Sequence, residues 1–562
     1  MYYNDDVTRL VRNADKSFYS TERANASTQW NLLAEFILNN QWVNFTNGDA
    51  WDQTAGRKST SRLFDSTAVQ ANADLAAAIH STLTNPAHQW SKLRFKSEKL
   101  NNDEDALEWL NKANEMIHSY LGESNFNTQV SKNYEMYSSL GTMALLQEPE
   151  YTEGEFSGFK FTSLHLAEIA FSENSNGVVD CVYRKFRLTA RQAYEKFGNK
   201  VPEHIMEELE ENPDKEFGFY HILKPRDPKK VKLDEFGFAT PKKRPFASYY
   251  IERKSKEMLE EGGYYEFPIM VTRWSTMPGE VYGRGPGHIA LPEIRTINTT
   301  RELLLHSLAK AVDPPFIANA KNILGALDLR PAKVTIVKDL KGIQEMPSNA
   351  RFDVSKMAIE AMQMQIKSIF YIDKLLLPPR TETGEMTAFE VAQRLQQMLR
   401  VLGPTLSRLN SEFLSPLIIR SFKMILREKA FPDIPTAIAV EGLDVDIAFI
   451  NQLSRSQQLD ELNNIQDWVQ RVAALAQLNP QVLDTINVDG IAKLTAKILN
   501  VPEEAVNNNK EVAQIRSQRE QLQQSQQAMD MAQKGADIKA KLNGANNVES
   551  KPNGRPSNGD NS

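Results

Sequence analysis

The residues best able to do chemistry in this chain are clustered carboxylates, a glycine-rich run and two stripes of polar side chains. Acidic clusters occur at Glu207, Glu208, Glu210 and Glu211, and again at Glu257, Glu260 and Glu261. Paired carboxylates can hold Mg²⁺ for phosphodiester cleavage, which makes a metal-dependent nuclease the reading from the enzyme class. Runs of like charge are more often a solvated helix face or turn, and these are read so here. The GRGPG run at 283–287 has the look of a phosphate cradle. It lacks the G-x-G-x-x-G spacing, and Pro286 removes an amide that a cradle would use, so a structural turn is expected. The sequence contains no G-x-x-x-x-G-K-[ST], H-E-x-x-H, C-x-x-C or G-x-S-x-G, and its eight histidines are scattered. ATP hydrolysis on a P-loop, a zinc site and a nucleophile elbow all lack their motifs, and no catalytic residue, metal or cofactor is assigned.

The polar stripes need helices to position them. Arg295, Asn298, Glu302, His306 and Lys310 recur at three- and four-residue steps along an expected helix at 289–312, with Ile294, Ile297, Leu304, Leu305 and Leu308 mainly on its other faces. Two prolines after Asp313 stop it. Lys356, Glu360, Gln363, Lys367 and Lys374 repeat the pattern on a second expected helix at 355–377, ended by Pro378 and Pro379. Between them a small module carries the strand-like runs VTIVK and GIQEM. After them a polar loop with Arg380, Thr381, Glu382, Thr383 and Glu385 leads to Thr387 and Glu390, a capping box. That box opens a long helix reaching about Lys429, kinked at Gly403-Pro404 and again near Pro416. Helix, module, helix, loop and kinked helix is an order suited to lining a wet channel and gripping a neighbouring subunit.

The rest of the chain reads as α+β and mainly helical. Residues 6–47, 66–83, 102–121 and 125–140 have helical periodicity. From 142 to 275 short β-prone runs follow one another (FKFTSLHL, EIAFSE, GVVDCVYRKFRLT, FGFYHIL, FASYYIER, YYEFPIMVTRW), interrupted by two short helices near 190–197 and 203–211. An antiparallel sheet is expected. TAIAVEGLDVDIAFI reads as a strand pair, 457–500 as two or three helices, and 502–542 as a last long helix with Ile515, Leu522 and Met529 seven apart. Residues 543–562 have a disordered composition. The formal net charge of 562 residues is −6, which argues against tight phosphate binding. The lone Cys181 excludes an internal disulfide and is read as a small strand side chain. No apolar run approaches the roughly 20 residues of a membrane helix, and the N-terminus has no secretory h-region.

Several stretches resemble the portal proteins, the head-to-tail connectors of short-tailed phages. They are RLFDST at 62–67 with LAAA at 75–78 and the Trp90 segment, SNF at 124–126, LGT at 140–142, YGRGP at 282–286, ALP at 290–292, Ile297-Asn298, DPP at 313–315 and MTAFEV at 386–391. The likeness covers roughly residues 1–450 and is weaker beyond. It implies the portal fold: a wing at 1–288, stem helices at 289–312 and 355–377, a clip at 313–354 and a tunnel loop at 378–386. A kinked long helix returns to the wing at 387–455, crown helices occupy 456–542, and 543–562 is a tail. It implies a homo-oligomeric ring, a dodecamer, at one capsid vertex of the virion, assembled in the host cytoplasm. Double-stranded DNA would pass through it, with a terminase large subunit, a tail adaptor, and capsid and scaffold proteins as partners. It implies stem residues Glu302, His306, Lys310, Lys356, Glu360, Lys367 and Lys374 facing the channel, and a DNA-facing loop at 380–385. The alternative is a structural adaptor or scaffold protein with no open pore.

Overall fold

A computed structural model describes residues 6–38, 45, 63–101, 103–232, 239–312, 316–318, 343–345, 352–375, 403–449, 452–476, 480–498, 507 and 509–546. The chain divides into two compact units, 1–454 and 455–562.

The first unit opens with α1 (Val7–Phe18) and α2 (Thr21–Phe36). The described part of the stretch expected to be helical at 6–47 forms two helices, because the Ser20 hydroxyl accepts the Arg23 amide and starts a new one. Then come α3 (Thr67–Leu83), α4 (Glu104–Glu123) and α5 (Phe126–Leu140). Asp103 caps α4 through the Ala106 amide, with Glu104 and Asp105 in the first turn. α5 ends on Gly141 in the left-handed region, at φ 72°.

Two antiparallel sheets follow. The smaller has the order β3-β2-β9, from β2 (Thr142–Thr152), β3 (Glu155–Ser163) and β9 (Ile269–Arg273). The larger runs β4-β5-β6-β7-β8, from β4 (Ile169–Glu173), β5 (Val179–Thr189), β6 (Glu216–Pro225), β7 (Phe246–Glu252) and β8 (Met258–Tyr264). Between β5 and β6 lie α6 (Ala190–Phe197), opened by a Thr189–Gln192 capping box, and α7 (Glu203–Glu211). Phe197 and Ile205 pack on Phe186, Phe219 and Tyr250 on one side of this sheet. Leu10, Val11 and Ala14 of α1 pack on Tyr220, Ile222 and Tyr249 on the other. Cys181 is buried in β5, as expected. The main core joins α2–α5, the three-stranded sheet and the helices described next.

α8 (Pro286–Val312) begins one turn earlier than expected, with proline pre-set at its start. A short pair, β10 (Phe316–Ala318) with β11 (Ile343–Glu345), is described beyond it, which includes part of the GIQEM run; VTIVK lies outside the described residues. α9 (Phe352–Ile369) and α10 (Ile372–Leu375) replace the single helix expected at 355–377. The break falls at Tyr371, at φ 61°. Phe370 and Ile372 are both buried; two residues apart on one helix they would face nearly opposite ways. The capping box at 387–390 lies outside the described residues.

Residues 403–409 are helical and run into a π-helical turn, Asn410–Leu414, then α11 (Ser415–Arg427). The irregularity expected at Pro416 takes this form, an expanded turn just ahead of the proline. The expected strand pair at 436–450 is instead α12 (Thr436–Glu441) and one strand, β12 (Val445–Phe449). That strand pairs with β1 (Ser91–Phe95), which periodicity did not single out.

In the second unit, α13 (Gln452–Ala476), a 3₁₀ segment (Pro480–Thr485) and α14 (Val488–Ile498) match the helices expected there. The last helix is described as α15 (Asn509–Asn546) and takes in the first four residues of the expected tail; its expected start at 502 lies outside the described residues. Leu522 and Met529 on it are exposed.

Candidate functional site

The feature positioned with most care is the hairpin of α8 and α9. Its root is held by a buried acid outside both helices. Asp65 precedes α3, and its Oδ1 accepts the Thr67 amide at 2.8 Å, a cap the following Ser66 does not supply. Its Oδ2 accepts from Arg301 Nε of α8 and from Gln363 Nε2 of α9, each at 2.9 Å. Asn298 Oδ1 accepts the amides of Phe64 at 2.8 Å and Asp65 at 3.1 Å, while its Nδ2 donates to Ile294 O at 2.7 Å. Gln365 Nε2 donates to Glu293 Oε1 at 3.1 Å, a second tie between the two helices. One carboxylate thus fixes α3, α8 and α9 together.

The GRGPG run anchors the start of α8. A Cβ on Gly283 would lie 2.2 Å from Gly141 O, and one on Gly287 2.4 Å from Ser139 O. The run lies flat on the corner between α5 and β2, so it is the structural turn expected. His288 Nδ1 accepts the Gly285 amide at 3.2 Å, and burial pushes its imidazole down to about 4. Beside the turn, Arg273 bonds Glu173 at 2.6 Å, Glu412 at 2.7 Å and Gly177 O at 2.9 Å. Burial lowers its pKa, but Glu412 and Glu173 more than offset that, for a net rise. Arg420 of α11 is fully buried and lowered by that burial; its Nη1 donates to Glu266 O at 2.8 Å and its Nη2 to Gln147 O at 3.2 Å. These arginines seat the returning helix against the three-stranded sheet.

Of the residues assigned to the channel, Glu302, His306 and Lys310 are exposed on α8, and Lys356, Glu360 and Lys367 are exposed on α9. Lys356 and Glu360 approach to 3.9 Å, an exposed pair of little energetic weight. Lys374 falls on α10, beyond the break at Tyr371, and so is not part of a continuous α9 stripe. Arg380, Thr381, Glu382, Thr383 and Glu385 lie outside the described residues. Two stripe residues behave otherwise than expected: Asn298 is buried and Gln363 is half-buried, both spent on the Asp65 tie. Sequence reasoning missed Asp65, Arg301 and Gln363 as a unit, because their partners lie more than 200 residues apart. Several apolar residues of the outer half of α8 are also not covered, although Leu304 packs on the main core. Leu303 is 61% exposed, Leu305 52% and Val312 85%.

Among the described residues no three acidic, His or Cys side chains gather as a metal site, and Glu261 pairs with Arg226 at 3.0 Å. No helix among the described residues is long and apolar enough to cross a membrane.

A hairpin fixed at its root, with leucines exposed along its outer half, is the build of a structural subunit completed by assembly. The sequence matches the family described as bacteriophage head to tail connecting protein over residues 17–506, and the chain belongs to that family. It is 26% identical over 536 residues to the probable portal protein of Bordetella phage BPP-1, covering 93% of each chain. It is 26% identical over 528 residues to the portal protein of Salmonella phage epsilon15, covering 92% of each.

Proposed function

We propose that this chain is a portal subunit, copies of which close into a ring at one capsid vertex and conduct double-stranded DNA during packaging and ejection. The observation that carries the reading is the outer half of α8, where Leu303, Leu305, Leu308 and Val312 stand in water on a helix whose root is locked. A lone chain gains nothing from that arrangement, while packed copies bury it, at roughly 25 cal/mol per Å² of apolar surface. The family and the names of the two relatives support the same role.

In this reading residues 1–288 are the wing, 289–312 and 355–377 the stem, 313–354 the clip, 378–386 the tunnel loop, 387–455 the return to the wing, and 456–542 the crown. The ring is a dodecamer, assembled in the host cytoplasm. The clip receives the terminase large subunit and later the tail adaptor, while capsid and scaffold proteins surround the wing. Glu302, His306, Lys310, Lys356, Glu360, Lys367 and Lys374 line the channel. Their mixed signs suit DNA that must slide, since dense phosphate neutralisation would act as a brake. Arg380 among Glu382 and Glu385 gives weak, reversible contact that limits backsliding.

End-on electron micrographs of the purified full chain test the ring. Closed rings with a hole wide enough for duplex DNA are expected, and monomers or assemblies without a through-hole refute the reading. Rings lacking residues 380–385 that still package and retain a full genome refute the role given to the loop.

A further inference from the structure

The five-stranded sheet carries opposite charge on the two connections of β6. The β5–β6 connection ends in α7, and residues 203–216 hold seven acidic side chains against one lysine, a net −6. Glu203, Glu207, Glu210 and Glu211 are exposed, while Glu208 pairs with Lys215. Glu210 and Glu211 sit in the last turn of α7, where the helix dipole is already negative and no basic residue offsets it. The β6–β7 connection is the reverse. Residues 226–245 hold seven basic side chains against three acidic, a net +4.

The described parts of that connection, 226–232 and 239–245, are tied down by hydrogen bonds. Arg226, almost fully buried, donates to Arg244 O at 3.1 Å, Glu261 at 3.0 Å and Gly262 O at 2.9 Å. Arg244 donates to Ala239 O at 3.3 Å and Gly263 O at 3.1 Å. The two Pro-Lys-Lys turns are joined, with the Lys232 amide on Lys243 O at 3.2 Å. This frame leaves Lys229, Lys230, Lys232, Lys242 and Lys243 exposed, with Lys242 3.8 Å from Glu261.

The two connections leave opposite ends of the ten-residue β6. They are therefore separated by roughly 30 Å along the strand. That is several times the screening length of about 8 Å at physiological salt, so neither relieves the other within one chain. The turn between β7 and β8 near the α7 end carries Arg253, Lys254 and Lys256, so the acidic character belongs to α7 rather than to that whole end of the sheet. A head-to-tail contact gives each copy one unlike patch toward each neighbour, so every interface of a ring pairs basic with acidic.

We infer that the lysines of 229–232 and 239–243 dock on α7 of the neighbouring copy, so that the five-stranded sheets pair around the ring by charge. The inference rests on the ring proposed above. Two experiments test it with the full chain. The first is zero-length carbodiimide crosslinking of rings mixed from ¹⁴N- and ¹⁵N-labelled copies, read by mass spectrometry. Mixed-isotope links between lysines 229–243 and glutamates 203–211 are expected, at a length that excludes a link within one chain. Rings that give only local links, such as Lys215 to Glu208 or Lys242 to Glu261, overturn it.

The second experiment reverses charge. Lys229→Glu with Lys242→Glu and Lys243→Glu, which takes the frame from +4 to −2, or Glu203→Lys with Glu207→Lys, Glu210→Lys and Glu211→Lys, which takes 203–216 from −6 to +2, should each raise the concentration needed for ring formation by about tenfold or more. Both sets in one chain restore complementarity, as does an equimolar mixture of the two single-set variants, which should alternate around the ring. Glutamine at the same positions gives a smaller weakening and serves where a reversed set fails to fold. Wild-type chains that never close refute the ring and this inference together. Wild-type rings with unaffected variants, or with no rescue, refute this inference alone.

Discussion

Asp65→Ala is the sharpest test of how the hairpin is held. The substitution removes the acceptor for the Thr67 amide, for Gln363 Nε2 and for Arg301 Nε. The lost cap costs about 1 kcal/mol. The Gln363 and Arg301 bonds are worth about 1 kcal/mol each, below the fully buried range, because Gln363 is half-buried and Arg301 is 38% exposed and can turn to water. The sum is about 3 kcal/mol. Spread over the melting entropy of a unit of some 450 residues, that moves Tm by only about 3 °C. Hydrogen exchange localises it better: an opening easier by 3 kcal/mol makes the amides of 294–304 and 359–369 exchange about 100-fold faster, while β5 to β7 stay protected. Asp65→Asn keeps an acceptor for Thr67 but loses the charge, so less than half the effect is expected. Arg301→Ala combined with Asp65→Ala should show a coupling of about 1 kcal/mol. Exchange in α8 and α9 within twofold of wild type, with Tm unchanged, would refute the account of the root.

Two further outcomes follow from the same region. Gly141→Ala needs a left-handed backbone and puts a Cβ 2.3 Å from Gly285 N, so it should destabilise by about 3 kcal/mol or more and yield little soluble protein; a variant that purifies and melts like wild type contradicts the packing at this corner. Burial holds the imidazoles of His165 and His288 down to about 4, below an unfolded value of 6.5. The unfolded chain then binds more protons between pH 6.5 and 4, so stability is full above 6.5 and falls with acidification across that window. Glu168, raised by burial, acts with the opposite sign. A Tm that rises between pH 7 and 5 goes against the histidine argument, whereas His288→Gln should flatten part of the fall.

Local chemistry was legible in the sequence where a few adjacent residues decide the outcome. The helix expected at 66–83 and the short helices expected near 190–197 and 203–211 all form where adjacent residues set them. What was not legible depends on distant partners. β12 pairs with β1 across some 350 residues, and Ile438 is the buried anchor of a short α12 whose alternating Thr, Ala, Ile, Ala and Val imitate a strand. Nothing in the run Phe370-Tyr371-Ile372 breaks a helix by propensity. The break is set by a core that takes both flanking side chains, at a strain on the order of 1 kcal/mol for the left-handed Tyr371.

The polar stripe of α8 carries the same lesson about function. Period alone puts Arg295, Asn298, Glu302, His306 and Lys310 on one face and assigns that face one role. The structure divides it. Asn298, with Arg301 beside it, is committed to Asp65 and to the amides before α3, so the inner half of the helix is used up in holding the hairpin. Past Arg301 the charges are exposed together with Leu303, Leu305 and Leu308, while Leu304 packs on the core. A helix designed only to meet water would not carry those leucines, and one designed only for a core would not carry Glu302 and Lys310. In the ring proposed above, both are accounted for when the outer half meets a neighbouring copy on one side and an aqueous channel on another, and the changeover at Arg301 would then mark where the subunit stops stabilising itself and starts stabilising the ring.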